Sequence, residues 1–182
     1  MLVFLIEFLF FAFLGFIIDS LYSSLSERRL IISGYFPGLP LCPIYGFGGV
    51  LLLRVFLFLV DSPAWQVILL GGLLMILLEY LGGVLAELIL GERLWDYSKE
   101  KWNLDGYISA WHSFLWLLLV AVVYLSLGKE LMSWHNYLAE HLLFNQSAEW
   151  LLGGIIFLAG FYLTIKTKKL RLAKRKRKKA SA

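Results

Sequence analysis

The run from Ala64 to Leu90 reads AWQVILLGGLLMILLEYLGGVLAELIL and carries only two charged residues, Glu79 and Glu87. A helix crossing the roughly 30 Å hydrocarbon core of a bilayer needs about 20 mainly apolar residues. This run supplies them without a proline, so it is predicted to span a membrane. Just before it, Asp61-Ser62-Pro63 closes a second apolar run, Pro43–Val60, and so short a connection makes the two an antiparallel hairpin. Working outward, residues 2–25, 106–127 and 148–165 meet the same criterion. The expected fold is therefore an all-α integral membrane protein with five transmembrane helices in residues 1–166. A basic tail, 167–182, follows.

Composition points the same way. Hydrophobic residues make up 60% of the 182 and charged residues 16%, against about 45–50% and about 25% in a soluble domain. Beside five spans there is no room for a nucleotide-binding domain of the usual ~100–150 residues, and no GxxxxGK[ST] or GxGxxG run occurs. The single cysteine, Cys42, excludes an internal disulfide framework and a cysteine-rich metal cluster. No HExxH or CxxC occurs, so neither a metal nor another cofactor is expected.

Charge sets the expected orientation, because Lys and Arg collect on the cytoplasmic side of short loops. With the N-terminus outside, the inner side holds Arg28, Arg29, Arg93, Lys99, Lys101 and the basic residues from Lys166 to Lys179. The outer side holds only Lys129. The sequence thus predicts N-out/C-in. The basic tail directly follows a span and is expected to meet anionic lipid headgroups rather than nucleic acid. Between spans four and five, Leu131, Trp134, Leu138 and Leu142 recur at helical spacing among polar residues. That pattern reads as a separate interfacial helix, with His135 and His141 as solvated positions.

Ionisable groups inside a membrane are costly and mark functional positions. Gly15, Asp19, Tyr22 and Ser26 share one face of the first span at about 100° per residue. Gly72, Glu79, Gly83 and Glu87 share a face of the third. Asp105, Ser109, His112 and Trp116 share one of the fourth. Two readings stay open: interhelical glue, with Arg54 as counter-ion for Glu79 or Glu87, and a lined path. Polar contacts between membrane helices average only ~0.6 kcal/mol, a weak reason to bury several carboxylates. Asp19, Glu79, Glu87, Asp105 and His112 are therefore the expected substrate or ion path. Glu7 lies off these stripes, near the outer end, within reach of water.

Two inner loops hold the distinctive sequence. Ser33–Gly49 contains three prolines within seven residues and reads either as a re-entrant cap or as a plain connector. Pro43 suits the first turn of the second span, and Gly46 permits close packing. The other loop, Gly91–Gly106, holds Trp95-Asp96-Tyr97-Ser98 and Asn103. These residues suit interface anchors, a turn folded against the mouth, or a docking surface. Ser109, His112 and Ser113 are neighbours, but no nucleophile elbow accompanies them, and no catalytic residues are assigned.

Several motifs occur in one order: Cys42-Pro43-Ile44-Tyr45-Gly46-Phe47-Gly48, Leu78-Glu79-Tyr80 with Glu87, Trp95-Asp96-Tyr97-Ser98, Asn103-x-x-Gly106 and Ser113-x-x-Trp116. From about Gly15 to Trp116 the chain resembles the bacterial "putative ABC-transporter type IV" permease family of small CmpB-like membrane proteins. It departs at Asp19, where the family has a longer acid, and at Leu39, where it has a glycine. The resemblance implies a permease-like subunit of the cell membrane that moves a small solute with a separate ATPase partner. A non-transporting envelope scaffold or sensor is the alternative, and a membrane-embedded enzyme comes third. Bulky side chains leave little room inside one chain, so a homo-oligomer is expected, its seam at Gly153, Gly154 and Gly160.

Overall fold

The structure, a computed structural model, describes residues 1–32, 39–91 and 93–142. Among these residues four helices follow one another: α1 (Leu2–Glu27), α2 (Pro43–Phe58), α3 (Ala64–Leu90) and α4 (Ala110–His141). Among the described residues a short antiparallel pair, β1 (Asn103–Leu104) with β2 (Ile108–Ser109), accompanies the helices. α1, α3 and α4 are long and apolar enough to cross a membrane. Large apolar side chains such as Leu81, Leu85, Leu88 and Val122 stay on the outside, as hydrocarbon permits and water does not. The fold is that of a helical membrane protein.

The helix ends follow from local chemistry. α1 stops where Arg28 turns left-handed at φ 50°, and Ser24 Oγ both donates to Ile31 O and accepts from Ile31 N–H. α2 opens on Pro43, whose missing N–H costs nothing in a first turn. α3 ends on Gly91, left-handed at φ 72°. α4 is capped by Ser109, whose hydroxyl accepts from His112 N–H.

Three sequence expectations change. The second apolar run forms only 16 helical residues, about 24 Å at 1.5 Å per residue and short of a full crossing. The fourth span starts at Ala110 instead of Gly106, because Trp102, Asp105 and Gly106 all take positive φ in the hairpin. The interfacial helix after it is no separate element, since α4 runs unbroken through Gly128 to His141. No proline interrupts it. Its apolar positions continue one packing face, with Leu131 and Met132 on the core and Trp134 against Phe10, ring centroids 4.9 Å apart. The expected fifth span, its glycine seam and the basic tail lie outside the described residues.

Packing explains the short α2. Cys42 N–H donates to Ala12 O at 2.9 Å, so α2 begins beside a point about 15 Å along α1. Its first turn also faces Gly82 of α3 through Ile44. The later turns of α1 and α3 therefore continue beyond it. Irregular backbone at such depth is tolerated where protein covers it. Here the hydrophobic core lies at the other end of α2, where Leu52, Val55 and Phe56 meet Val67, Met75 and Val120.

Candidate functional site

Beyond the start of α2, residues 93–109 fold back against the end of α3 and the beginning of α4. Trp95 and Tyr107 cover Gly83, which has no side chain to obstruct them. Trp95 Nε1 donates to Tyr107 O at 2.8 Å, and Tyr97 N–H donates to Gly106 O. Asn103 holds the return of the loop: its amide donates to Glu100 O and Ser98 O, and its oxygen accepts from Gly106 N–H. The Asp96 carboxylate accepts from Ser98 N–H at 2.9 Å. That bond and the nearby Arg93 guanidinium keep Asp96 below the usual carboxylate range.

The Tyr97 ring goes inward. It stacks on His112 with centroids 3.8 Å apart, and its hydroxyl donates to Glu79 Oε1 at 3.2 Å. Burial, with the Glu79 charge second, pushes the Tyr97 hydroxyl well above the usual phenol range. Glu79 itself is 5% exposed. Its Oε2 has no hydrogen-bond partner among the described residues, and the Trp116 indole lies close enough to help hold the carboxylate. Tyr45, in the first turn of α2, tilts over Trp116 at 5.5 Å, with Asp19 of α1 near it.

His112 ties this group to the loop. Its Nδ1 lies 3.1 Å from Glu100 Oε2, the atom to which Ser109 Oγ also donates. Nδ1 as donor to Glu100 leaves Nε2 to accept from Tyr22 O–H at 3.3 Å. Glu100 and Tyr22 were not expected beside His112, whereas Ser109 was read as its neighbour. Only Tyr22 and Ser109 showed a signal, their place on the polar stripes.

Five carboxylate and histidine positions were expected on one path, and the structure sorts them into two groups. Asp19, Glu79 and His112 gather around Tyr45, Tyr97 and Trp116. Glu87 and Asp105 join a second network at the base of the loop. There Arg93 Nε and Tyr107 O–H both donate to Glu87 Oε2, at 2.9 and 2.6 Å. Arg93 also donates to Asp105 O and lies over the Tyr107 ring, while Tyr80 O–H donates to Asp105 Oδ2. Among the described residues, no group of three or more His, Cys, Asp or Glu is placed to hold a metal ion.

Arg54 does not pair with Glu79 or Glu87 as the sequence suggested. It reaches the opposite end of the molecule, where NH2 donates to Glu7 Oε2 at 2.6 Å. His135 Nδ1 lies 2.6 Å from Glu7 Oε1. Glu7 is fully buried, so it does not meet water, and His135 is not a solvated position. The unbroken α4 carries His135 down to this pair. His141, by contrast, is exposed and stacks on Tyr137.

The loop offers a direct test. Gly106 has φ 73°, and a Cβ there would lie 2.6 Å from Arg93 NH1 and 2.7 Å from Asp96 Oδ1. Gly106→Ala is expected to destabilise the seated loop by about 1–2 kcal/mol through the left-handed backbone alone. Hydrogen exchange should then rise in residues 93–109 and stay unchanged in the core of α2. Unchanged exchange in the loop would refute this.

No curated protein and no solved structure matches the chain. A family model does match, from residue 6 to residue 166, and so takes in most of α1, all of α2 to α4, the seated loop and all the polar groups above. The chain therefore belongs to the family described as "Putative ABC-transporter type IV".

Proposed function

We propose that this protein is a permease-like subunit of the cell membrane, with five spans in N-out/C-in orientation, the second of them shortened to α2, that moves a small solute. One observation supports the reading most: a short helix begins beside the middle of α1 and near a buried carboxylate, and the loop of residues 93–109 covers the approach to it. Interrupted helices that expose a terminus near the bilayer centre are how many transporters build a binding site. Asp19, Glu79 and His112 border the path, with Tyr45, Tyr97 and Trp116 as its walls. Glu87 and Asp105 act at one remove, by seating the loop.

The loop also supplies the surface for a separate ATPase. Trp95 and Tyr97 are turned inward, which leaves Asp96, Ser98 and the 87% exposed Trp102 facing out. The basic tail would hold anionic lipid beside this surface, and a homodimer would provide the width that one chain lacks. Purification of the tagged protein in mild detergent is expected to bring an ATPase with it, and Trp102→Ala should reduce that recovery severalfold. Cys42 and probes placed in the tail should react only from the cytoplasmic side. Labelling of the tail in intact cells by an impermeant reagent would refute the orientation.

A scaffold or sensor is the second reading, favoured by how fully the Trp95–Gly106 loop closes on itself. An enzyme is disfavoured by the geometry at Ser109. The residue is 1% exposed and its hydroxyl meets His112 on Nδ1, the nitrogen that also faces Glu100. A nucleophile and its orienting acid need opposite nitrogens of the imidazole.

A further inference from the structure

We propose that Glu79 is a proton-binding site and that the Tyr97 loop senses whether it is occupied. This deepens the path reading by naming the ion at Glu79, but proton binding there does not require that a solute be moved. The geometry is that of a buried carboxyl with one oxygen engaged and one not. Oε1 accepts from Tyr97 O–H, while Oε2 has no bonding partner among the described residues.

No described Lys or Arg makes an ion pair with Glu79, because Arg54 is held by Glu7 and Arg93 by Glu87. The titratable groups around Glu79 are Asp19 and Tyr22 from α1, Cys42 and Tyr45 from α2, Tyr97 and Glu100 from the loop, and His112 from α4. None of them is a fixed cation. An ionised carboxylate buried without a counter-charge is costly, and such a group commonly takes up a proton instead. The O–H bond then forms at Oε2, the proton comes from water on the loop side, and no electron is exchanged.

A metal ion fits less well. Hard cations require several oxygen ligands, and no suitable cluster of acidic or histidine side chains exists among the described residues. A single unpartnered oxygen on a buried carboxyl suits one proton. The link to the loop follows from the hydrogen bond that Tyr97 gives to Glu79. A donor bonds an ionised acceptor more strongly than a neutral one, so protonation weakens the hold on Tyr97. By linkage, anything that lifts the loop changes proton occupancy in return.

Infrared difference spectroscopy on the full chain in lipid nanodiscs tests this. Acidification at constant ionic strength should produce a protonated-carboxyl C=O band that is missing from Glu79→Gln. Tyr97→Phe keeps the stacked ring but removes the donor, so the same band should move to higher frequency. A band that survives Glu79→Gln overturns the assignment, and so does one that sodium or calcium chloride erases at fixed pH. An unmoved band in Tyr97→Phe overturns the link to the loop, and that variant carries the test if Glu79→Gln does not fold. If the band behaves as expected and no solute is moved by the reconstituted protein, the permease reading fails while the proton site stands.

Discussion

Arg54→Met is expected to lower the stability of the protein by about 2–3 kcal/mol, and adding Glu7→Gln to it should recover a large part of that loss. Glu7 is completely buried between α1, α2 and α4, with Arg54 on one oxygen and His135 on the other. Removing one partner of a buried ion pair costs roughly 3–5 kcal/mol, chiefly because the other charge is stranded. Arg54 has a side chain 40% exposed, so the lower figure allows for screening. Glutamine at position 7 abolishes the stranded charge and still offers an oxygen to His135. A double-mutant cycle, read from tryptophan fluorescence during thermal unfolding in nanodiscs, measures the coupling. Equal midpoints for wild type, Arg54→Met and the double variant would show that the triad contributes nothing.

Gly15→Ala and Gly49→Ala should each destabilise by about 2–3 kcal/mol through overpacking. A Cβ at Gly15 would fall on the Cβ and ring of Tyr45, and one at Gly49 on the Cβ and ring of Phe11. Atoms at the root of a side chain cannot rotate away, so α1 and α2 must separate. Gly48→Ala is the contrast. Its nearest neighbours are Met75 Sδ and Leu78 Cδ2, both at 3.2 Å and both at flexible ends. There the better helix propensity of alanine, worth up to about 1 kcal/mol, offsets the crowding. The same unfolding measurement separates the cases. Similar midpoints for all three variants would mean that the α1–α2 contact is loose. Because Gly15 packs against Tyr45, its variant should also disturb the polar group around Glu79, whereas Gly49→Ala should not.

Much of this was legible before any coordinates. The apolar run of residues 64–90 needed only its length and the absence of proline to be read as a helix, and Pro43 and Gly91 mark helix ends by backbone chemistry alone. Asp19, Glu79 and His112 could each be placed on the polar stripe of its own helix, because helical phase is a local property. The motif Asn103-x-x-Gly106 was visible as a spacing. Its purpose was not, since the Asn103 amide bonds backbone groups of Ser98 and Glu100 only once the hairpin has closed. The length of α2 was misjudged for a similar reason. Leu59 and Val60 are as apolar as the helix before them, and nothing in composition reveals that the chain must turn toward Pro63.

Local sequence by itself determined what depends on neighbours within a few turns: apolar helices, their caps, and the polar stripe on each. Tertiary structure alone decided which charges meet. Arg54 lies 47 residues from Glu7 and 81 from His135, and Tyr97 lies 18 residues from Glu79 across a loop. Burial makes an unpartnered charge costly, so each such group takes the partner that packing brings within about 3 Å. That choice is made by the crossing of helices and the folding back of a loop, which no single stretch of residues contains.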